Sequence, residues 1–269
     1  MKYMSYKQFD LNGKKAMVTG ASAGLGKACA LGLAEAGADV AVIDIQDELG
    51  EQVAAEIREL GREAFYLHCD VTDHSQVAAT VKAVFERFGR LDIAHNNAGG
   101  GVGGAKSEDE GAPELFRQVV ELDLLSVFYC CHEQAKVMIS QGGGRIINTA
   151  SSAATAVPNI PYELLPLGVG LVGYCAAKAG VKQLTKALAI EWAKYAIRVN
   201  SISPGFITTS TTTFILDYPE LLEQENDLTP MRRQGRAEEM VGGVVYLASD
   251  ASSFTTGHDL VMDGGFTAW

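Results

Sequence analysis

The chain has 269 residues, 22 Lys and Arg against 33 Asp and Glu for a formal net charge of −11, and 47% hydrophobic with 20% charged residues. That is enough for one α/β domain with an ample core and an ordinary globular composition. The acidic balance argues against nucleic acid or an anionic membrane as partner. No apolar run approaches the ~18 residues of a spanning helix, and Met1 to Phe9 contains no apolar signal core. A cytoplasmic protein is expected.

In chain order the pattern alternates strand and helix, the signature of a parallel sheet with crossover helices. Lys15 to Thr19 reads as a strand running into a glycine turn. A helix from about Gly26 to Glu35 follows, closed by Gly37. Asp39 to Asp44 is a second strand, Asp47 to Leu60 a helix stopped by Gly61, and Ala64 to His68 a third strand. Asp73 is placed to cap a helix that reaches Phe88, with Gly89 behind it. Leu91 to His95 is the expected fourth strand, Gly100 to Pro113 a surface loop, and one long helix is expected through Val119 and Val127 to Ser140. Gly144 to Thr149 is strand five, Ala153 to Gly170 a proline-bearing loop, Val172 to Tyr195 a helix and Arg198 to Ile202 strand six. The stretch at about 206–236 is irregular, with a short acidic helix, and suits a lid. Glu238 to Leu247 and Asp259 to Met262 supply the last helix and strand. The expected fold is a single doubly wound domain spanning 1–269, with a mostly seven-stranded parallel sheet.

Cys29, Cys69, Cys130, Cys131 and Cys175 form no C-x-x-C pair and read as free thiols. The neighbours His68-Cys69 and Cys131-His132 are taken as chance adjacency, and no metal is assigned. Two motifs carry chemistry. The turn Gly20-Ala-Ser22-Ala-Gly24-Leu25-Gly26 lies between a strand and a helix, where backbone amides meet a pyrophosphate. Tyr174 and Lys178 stand four apart, on one helix face; an ammonium there favours the phenolate and makes the tyrosine a usable acid or base. Together they imply a nicotinamide-dependent oxidoreductase. Asp44 ends strand two, placed to accept ribose hydroxyls and repel a 2′-phosphate. Neither Ser22, Ile45 nor Gln46 supplies a positive charge, so NAD is expected rather than NADP.

These motifs resemble the short-chain dehydrogenase/reductase family from about Leu11 to Gly265. The landmarks fall in the family's order: Thr19-Gly-x-x-x-Gly-x-Gly26, Asp70-Val71, Asn96-Asn97-Ala98-Gly99, Ser151, Tyr174-x-x-x-Lys178, Pro204-Gly205 and Asp263-Gly-Gly265. The resemblance implies that Asp70 and Val71 border the adenine and that Asn97, Ala98 and Gly99 pack beside the cofactor. It implies further that Ile207 and Thr209 hold the nicotinamide carboxamide. By the same likeness Tyr174 exchanges the proton with the carbonyl oxygen, and Lys178 assists it and binds the nicotinamide ribose. Ser151, with Ser152 as rival, polarises the carbonyl. A homotetramer is implied, through the long helices and the last strand; Ala176, Ala179 and Gly180 offer a small-residue face for close helix approach.

Two departures stand out. Asp123 occupies the place of the family's usual Asn. An ionised carboxylate near Lys178 holds the lysine charged while opposing phenolate formation, and the helix's main-chain carbonyl, the family's water-mediated link to the lysine, is preserved. Members similar to gluconate 5-dehydrogenase also carry Asp there. The spacing from Ser151 to Tyr174 is longer than usual, through an inserted segment around Pro158 to Pro166; Tyr162 within it is no rival to Tyr174, because position 166 is Pro. The expected reaction is alcohol–ketone interconversion on a polyol, sugar or sugar acid. The alternatives are a hydroxysteroid, bile-acid or 3-oxoacyl thioester substrate, fitted by apolar lid residues from Phe206 to Leu222, and, in another class, a non-catalytic NAD-binding sensor. Arg232, Arg233 and Arg236 are candidate clamps for a substrate carboxylate.

Overall fold

The computed structural model describes residues 6–100, 103–104, 107–160, 168–169, 171–209, 212, 215 and 217–269. Seven strands form one wholly parallel sheet: β1 (Lys15–Thr19), β2 (Asp39–Asp44), β3 (Ala64–His68), β4 (Ile93–Asn96), β5 (Gly144–Thr149), β6 (Ile197–Pro204) and β7 (Asp259–Met262). Their order across the sheet is β3-β2-β1-β4-β5-β6-β7. The chain reverses its winding between β1 and β4, which opens a crevice at the carboxyl ends of those two strands. Central strands such as β1 and β2 are buried almost end to end, as continuous apolar runs sandwiched by helices must be.

The helices cover both faces. On one side α1 (Gly24–Glu35), α2 (Asp47–Glu59) and α8 (Glu238–Ala248) bury Leu33, Ile57, Val244 and Leu247 against Val18 and Val42. On the other, α3 (His74–Phe88), α5 (Ser126–Gln141) and α6 (Leu171–Trp192) bury Val81, Val84, Met138 and Leu188 against Met17, Ile146 and Val199. Asp73 caps α3 as expected, accepting from the amides of Ser75 and Gln76, and left-handed Gly89 ends it. Among the described residues, no helix is long and apolar enough to cross a membrane.

Two expectations are corrected. Strand four begins at Ile93 rather than Leu91. Asp92 is tied instead to Arg90 and to the Lys15 amide, so the regular ladder starts one residue beyond it. The single long helix expected after it is two, α4 (Ala112–Val120) and α5, joined by one wide turn of π geometry at Glu121–Leu125. The Ser126 hydroxyl donates to the Leu122 carbonyl within that turn. One extra residue per turn breaks the helical rhythm and aims Asp123 inward, a frequent feature at functional sites.

The stretch expected to form a lid, 206–236, rests on a two-residue parallel ladder, Ile207–Thr208 with Gly235–Arg236, and on α7 (Pro219–Leu228). Leu221 is buried beneath α7 and the Phe206 ring packs edge-on to Phe266 at 5.4 Å. Phe214 and Leu216, expected in the same apolar set, lie outside the described residues, as do Tyr162 and most of the inserted segment. Glu225, also buried in α7, accepts from Gln234 Nε2 at 2.5 Å, while Gln234 Oε1 accepts from the Thr208 hydroxyl at 2.5 Å. Burial pushes the Glu225 carboxyl up to about 7, against a weaker downward pull from Gln234. The native protein therefore keeps this proton over a pH range in which the unfolded chain has lost it. The stabilisation is full below about 4.5 and is lost as pH rises through about 7. Glu225→Gln is expected to flatten the fall in stability across that window, which on this shift is on the order of 3 kcal/mol. Urea unfolding of both proteins at a series of pH values reads this directly, and parallel pH profiles for the two would refute it.

Candidate active site

β1 delivers Thr19 to the crevice, and its hydroxyl accepts from the amides of Asn97 and Ala98 at 3.0 and 3.1 Å. Asn97 Nδ2 returns the contact to the carbonyls of Thr19 and Gly20, both at 3.2 Å. These bonds join the end of β4 to the glycine turn. A Cβ on Gly26 would lie 2.0 Å from the Gly20 carbonyl oxygen, so only glycine lets α1 start this close to the strand. Its capping residue, Ala23, offers no side-chain acceptor, so the first amides of α1 are uncapped by a side chain at the crevice. That is the donor set a pyrophosphate needs, and the turn fits a dinucleotide.

The other cofactor candidates lie around the same crevice. The Asp44 carboxylate accepts from the Ser22 amide at 3.0 Å and from the Ile45 and Gln46 amides at 2.8 and 3.1 Å. It thereby ties β2 to the glycine turn and caps the turn that follows; the Ser22 hydroxyl in turn accepts from Gln46 Nε2. Ile45 is exposed, and Val71 is buried beside Asp70, whose carboxylate accepts from the Thr72 amide and hydroxyl. Pro204 pairs with Met262 and Gly205 abuts Asp263, which fixes the base of the lid. Thr209, two residues beyond Ile207, reaches the glycine turn itself: a Cβ on Gly24 would lie 3.3 Å from the Thr209 Cβ.

The charged centre lies between α6 and the wide turn. Lys178 Nζ is 3.0 Å from Asp123 Oδ1 and donates to the Thr149 carbonyl at 3.1 Å, with the two side chains 3% and 0% exposed. Burial pulls the lysine pKa down, but the charges of Asp123 and Tyr174 and the Asp123 hydrogen bond outweigh it, so Lys178 stays protonated with its pKa raised. Asp123 Oδ1 also accepts from the Gly100 amide at 3.0 Å, and Oδ2 is a buried oxygen without a hydrogen-bond partner among the described residues. A Cβ on Gly99 would meet Asp123 Oδ1 at 2.6 Å and Lys178 Nζ at 3.2 Å. The carboxylate thus engages the lysine directly.

Tyr174 stands one turn before Lys178 on α6, half-buried, with the ammonium 5.6 Å from its ring centroid. Ser151 leaves β5 as the cap of a 3-10 turn at Ser152–Ala154, where its hydroxyl accepts from the Ala153 amide at 3.1 Å. That turn packs against α6, the helix that carries Tyr174. Ser152 is buried beside it.

Other expectations resolve differently. Gly180 faces the chain's own Leu124, not a partner helix: a Cβ there would sit 2.8 Å from Leu124 Cδ2. Arg232 is paired with Asp227, and Arg233 with Glu239 at 2.7 Å. Three supports carry no motif of their own. Thr19 is signalled only by adjoining the glycine turn, and the Thr149 carbonyl by nothing in the sequence. A buried polar chain runs through Asn96, Gln134, Asn148 and Thr185 behind the site. His95 adjoins Thr149, and burial pushes its imidazole down to about 3, so it is neutral and structural.

A family model described as enoyl-(acyl carrier protein) reductase matches residues 20–267. The chain is 38% identical to a sorbose reductase of Candida albicans, covering 96% of this chain and 89% of that one. It is also 38% identical to a cyclohexanol dehydrogenase of an Acinetobacter species, covering 99% of both. A gluconate 5-dehydrogenase of Burkholderia cenocepacia, solved in complex with NADP and tartrate, superposes with a TM-score of 0.87 at 32% identity, over 99% of this chain and 100% of that one. The glycine turn, the Tyr174–Lys178 pair and these likenesses converge: the chain belongs to the short-chain dehydrogenase/reductase family.

Proposed function

We propose that this oxidoreductase interconverts a secondary alcohol and a ketone on a polyol, sugar or sugar acid, with NAD as cofactor. The carrying observation is the buried Lys178, paired with Asp123 and one helical turn from Tyr174, together with a glycine turn whose backbone suits a dinucleotide. When bound, the nicotinamide supplies or takes the hydride. Gly20, Ser22, Gly24, Leu25 and Gly26 would hold the pyrophosphate, Asp44 and Ile45 the adenosine ribose, and Asp70 and Val71 the adenine. Asn97, Ala98 and Gly99 would line the cofactor's inner side, and Pro204, Gly205, Ile207 and Thr209 its nicotinamide end.

Tyr174 holds the proton that passes to the ketone oxygen in reduction and returns in oxidation. Lys178 favours negative charge on the phenol oxygen and would bind the nicotinamide ribose. Ser151 donates a hydrogen bond to the substrate oxygen, where charge develops in the transition state. Asp123 holds Lys178 charged and in place. The sensor reading is disfavoured because tyrosine and lysine are both present and adjacent. For the substrate, the similarity to sorbose and gluconate enzymes supports a polyhydroxylated compound. The cyclohexanol dehydrogenase supports a smaller, apolar alcohol as the second reading. The lid's Phe206 and Leu221 are engaged in packing, which weakens the case for a steroid. NAD is favoured by the Asp44 carboxylate at the crevice; Lys27, at the start of α1, is paired with Glu56 at 2.7 Å. A homotetramer is supported by exposed apolar residues on α6, Val172 and Ile190; light scattering that returned a monomer at micromolar concentration would refute it.

Coupled assays with polyols, sugar acids, cyclic alcohols and hydroxysteroids, each with NAD and NADP, test the reading. Turnover of a polyol or sugar acid with higher kcat/KM for NAD is expected, and an NADP preference would remove the role given to Asp44. Tyr174→Phe is expected to lose roughly 10²–10⁴ in turnover while still binding the dinucleotide, and undiminished turnover would exclude Tyr174 as the acid–base group.

Asp123→Asn keeps an oxygen for Lys178 and the Gly100 amide but withdraws the charge that opposes burial of the ammonium. The lysine pKa then falls. Activity near neutral pH is expected to survive, and its decline on the alkaline side to begin at lower pH than in the parent. An alkaline limb that does not move would show that Asp123 does not set the charge of Lys178.

A further inference from the structure

A second cluster with its own chemistry lies outside the crevice, between α3 and α5. His74 opens α3, and its Nε2 lies 3.0 Å from Glu133 Oε1 on α5. His132 Nε2 lies 3.7 Å from the same oxygen. The three ligand atoms are all within 4.8 Å of one another. Ligands at ~2.1 Å around a tetrahedral zinc ion stand about 3.4 Å apart, so the distances to the carboxylate oxygen already bracket that edge.

The surroundings suit a metal. The Glu133 side chain is 9% exposed and fixed, because Lys136 Nζ holds its other oxygen, Oε2, at 2.7 Å. One oxygen anchored by an outer partner, with the other facing two imidazoles, is the usual support of a ligating carboxylate. The His74 and His132 side chains are 50% and 48% exposed, so both rings have room to turn inward. Tyr129 lies 5.0 Å from the His74 ring and Phe128 6.0 Å from that of His132, walling the cluster with aromatic surface. Cys131, the sequence neighbour of His132, takes no part: it is buried on the core side and its thiol donates to Asn148.

We propose that His74 Nε2, His132 Nε2 and Glu133 Oε1 bind one divalent transition cation, zinc(II) in the first place, with the fourth position open to water. Two imidazoles and a carboxylate select this class over magnesium or calcium, which take oxygen ligands. The ion would join α3 to α5 at a point remote in sequence from the acid–base pair. It takes no part in the reaction proposed above, so the two readings stand or fall separately.

The test is a zinc titration of tag-free, metal-stripped protein in competition with a chromophoric chelator. The parent is expected to take up one zinc per chain. Loss of one ligand should weaken binding by at least what loss of an outer partner costs, roughly 10–100-fold, in both His74→Ala and His132→Ala. His68→Ala, which removes the other described histidine paired with a carboxylate, should bind like the parent. No uptake by the parent, or parental affinity in the His74→Ala/His132→Ala double variant, would overturn the site. A second measurement needs no variant. Zinc should protect His74 and His132 from diethyl pyrocarbonate, read by peptide mass mapping, and equal modification with and without zinc would also overturn it.

Discussion

The site depends on one buried ion pair. Asp123 and Lys178 come from different helices and meet at 3.0 Å, almost wholly out of water. Such a pair costs about as much in desolvation as it returns in attraction, and an apolar pair of similar volume is often no less stable. Its presence is therefore better explained by what it positions than by stability. The lysine also reaches the Thr149 carbonyl, which docks α6 on the end of β5. The aspartate accepts from the Gly100 amide, which holds the loop after β4. Three elements that line the crevice are thus registered to one charge pair, and Tyr174 takes its position from the same helix as the lysine.

The rest of the crevice follows from the sheet. Parallel strands bury their middles and end in polar residues: Thr19, Asp44, Asn96 and Thr149 all close their strands at the same edge. Each is used at once. Thr19 binds the backbone after β4, Asp44 binds the glycine turn, and Asn96 joins Asn148 across the β4–β5 ladder. The reversal of winding between β1 and β4 keeps helices from covering this edge, so the polar ends face an opening rather than a core. The wide turn before α5 serves the same purpose. A regular helix would carry the Asp123 side chain along the apolar rhythm of its neighbours, whereas the extra residue turns it toward Lys178.

The segment at 206–236 is held by a different set of forces. Thr208, Gln234 and Glu225 form a short hydrogen-bonded chain from the ladder at its base into α7. Phe206 and Leu221 anchor it by packing, while Arg232 and Arg233 are spent on carboxylates of the lid and its neighbour α8.

The sequence by itself determined whatever depends on near neighbours. Continuous apolar runs marked the strands, Asp73 and Gly89 marked the ends of α3, and the glycine spacing marked the cofactor turn. Tyr174 and Lys178 needed only the pitch of one helix to be paired. Only the tertiary structure decided the contacts between distant segments. Asp123 and Lys178 are 55 positions apart and His74 and Glu133 are 59 apart, and no spacing rule links such pairs. The wide turn escaped periodicity because one inserted residue leaves the apolar rhythm on either side intact. Gly180 read as a surface for a partner because its composition does not say which face the fold covers, and Leu124 of the same chain fills that space. Local order follows from backbone sterics and helical pitch, whereas the charges that meet, and those that stay buried, are set by how the crossover helices pack on the sheet.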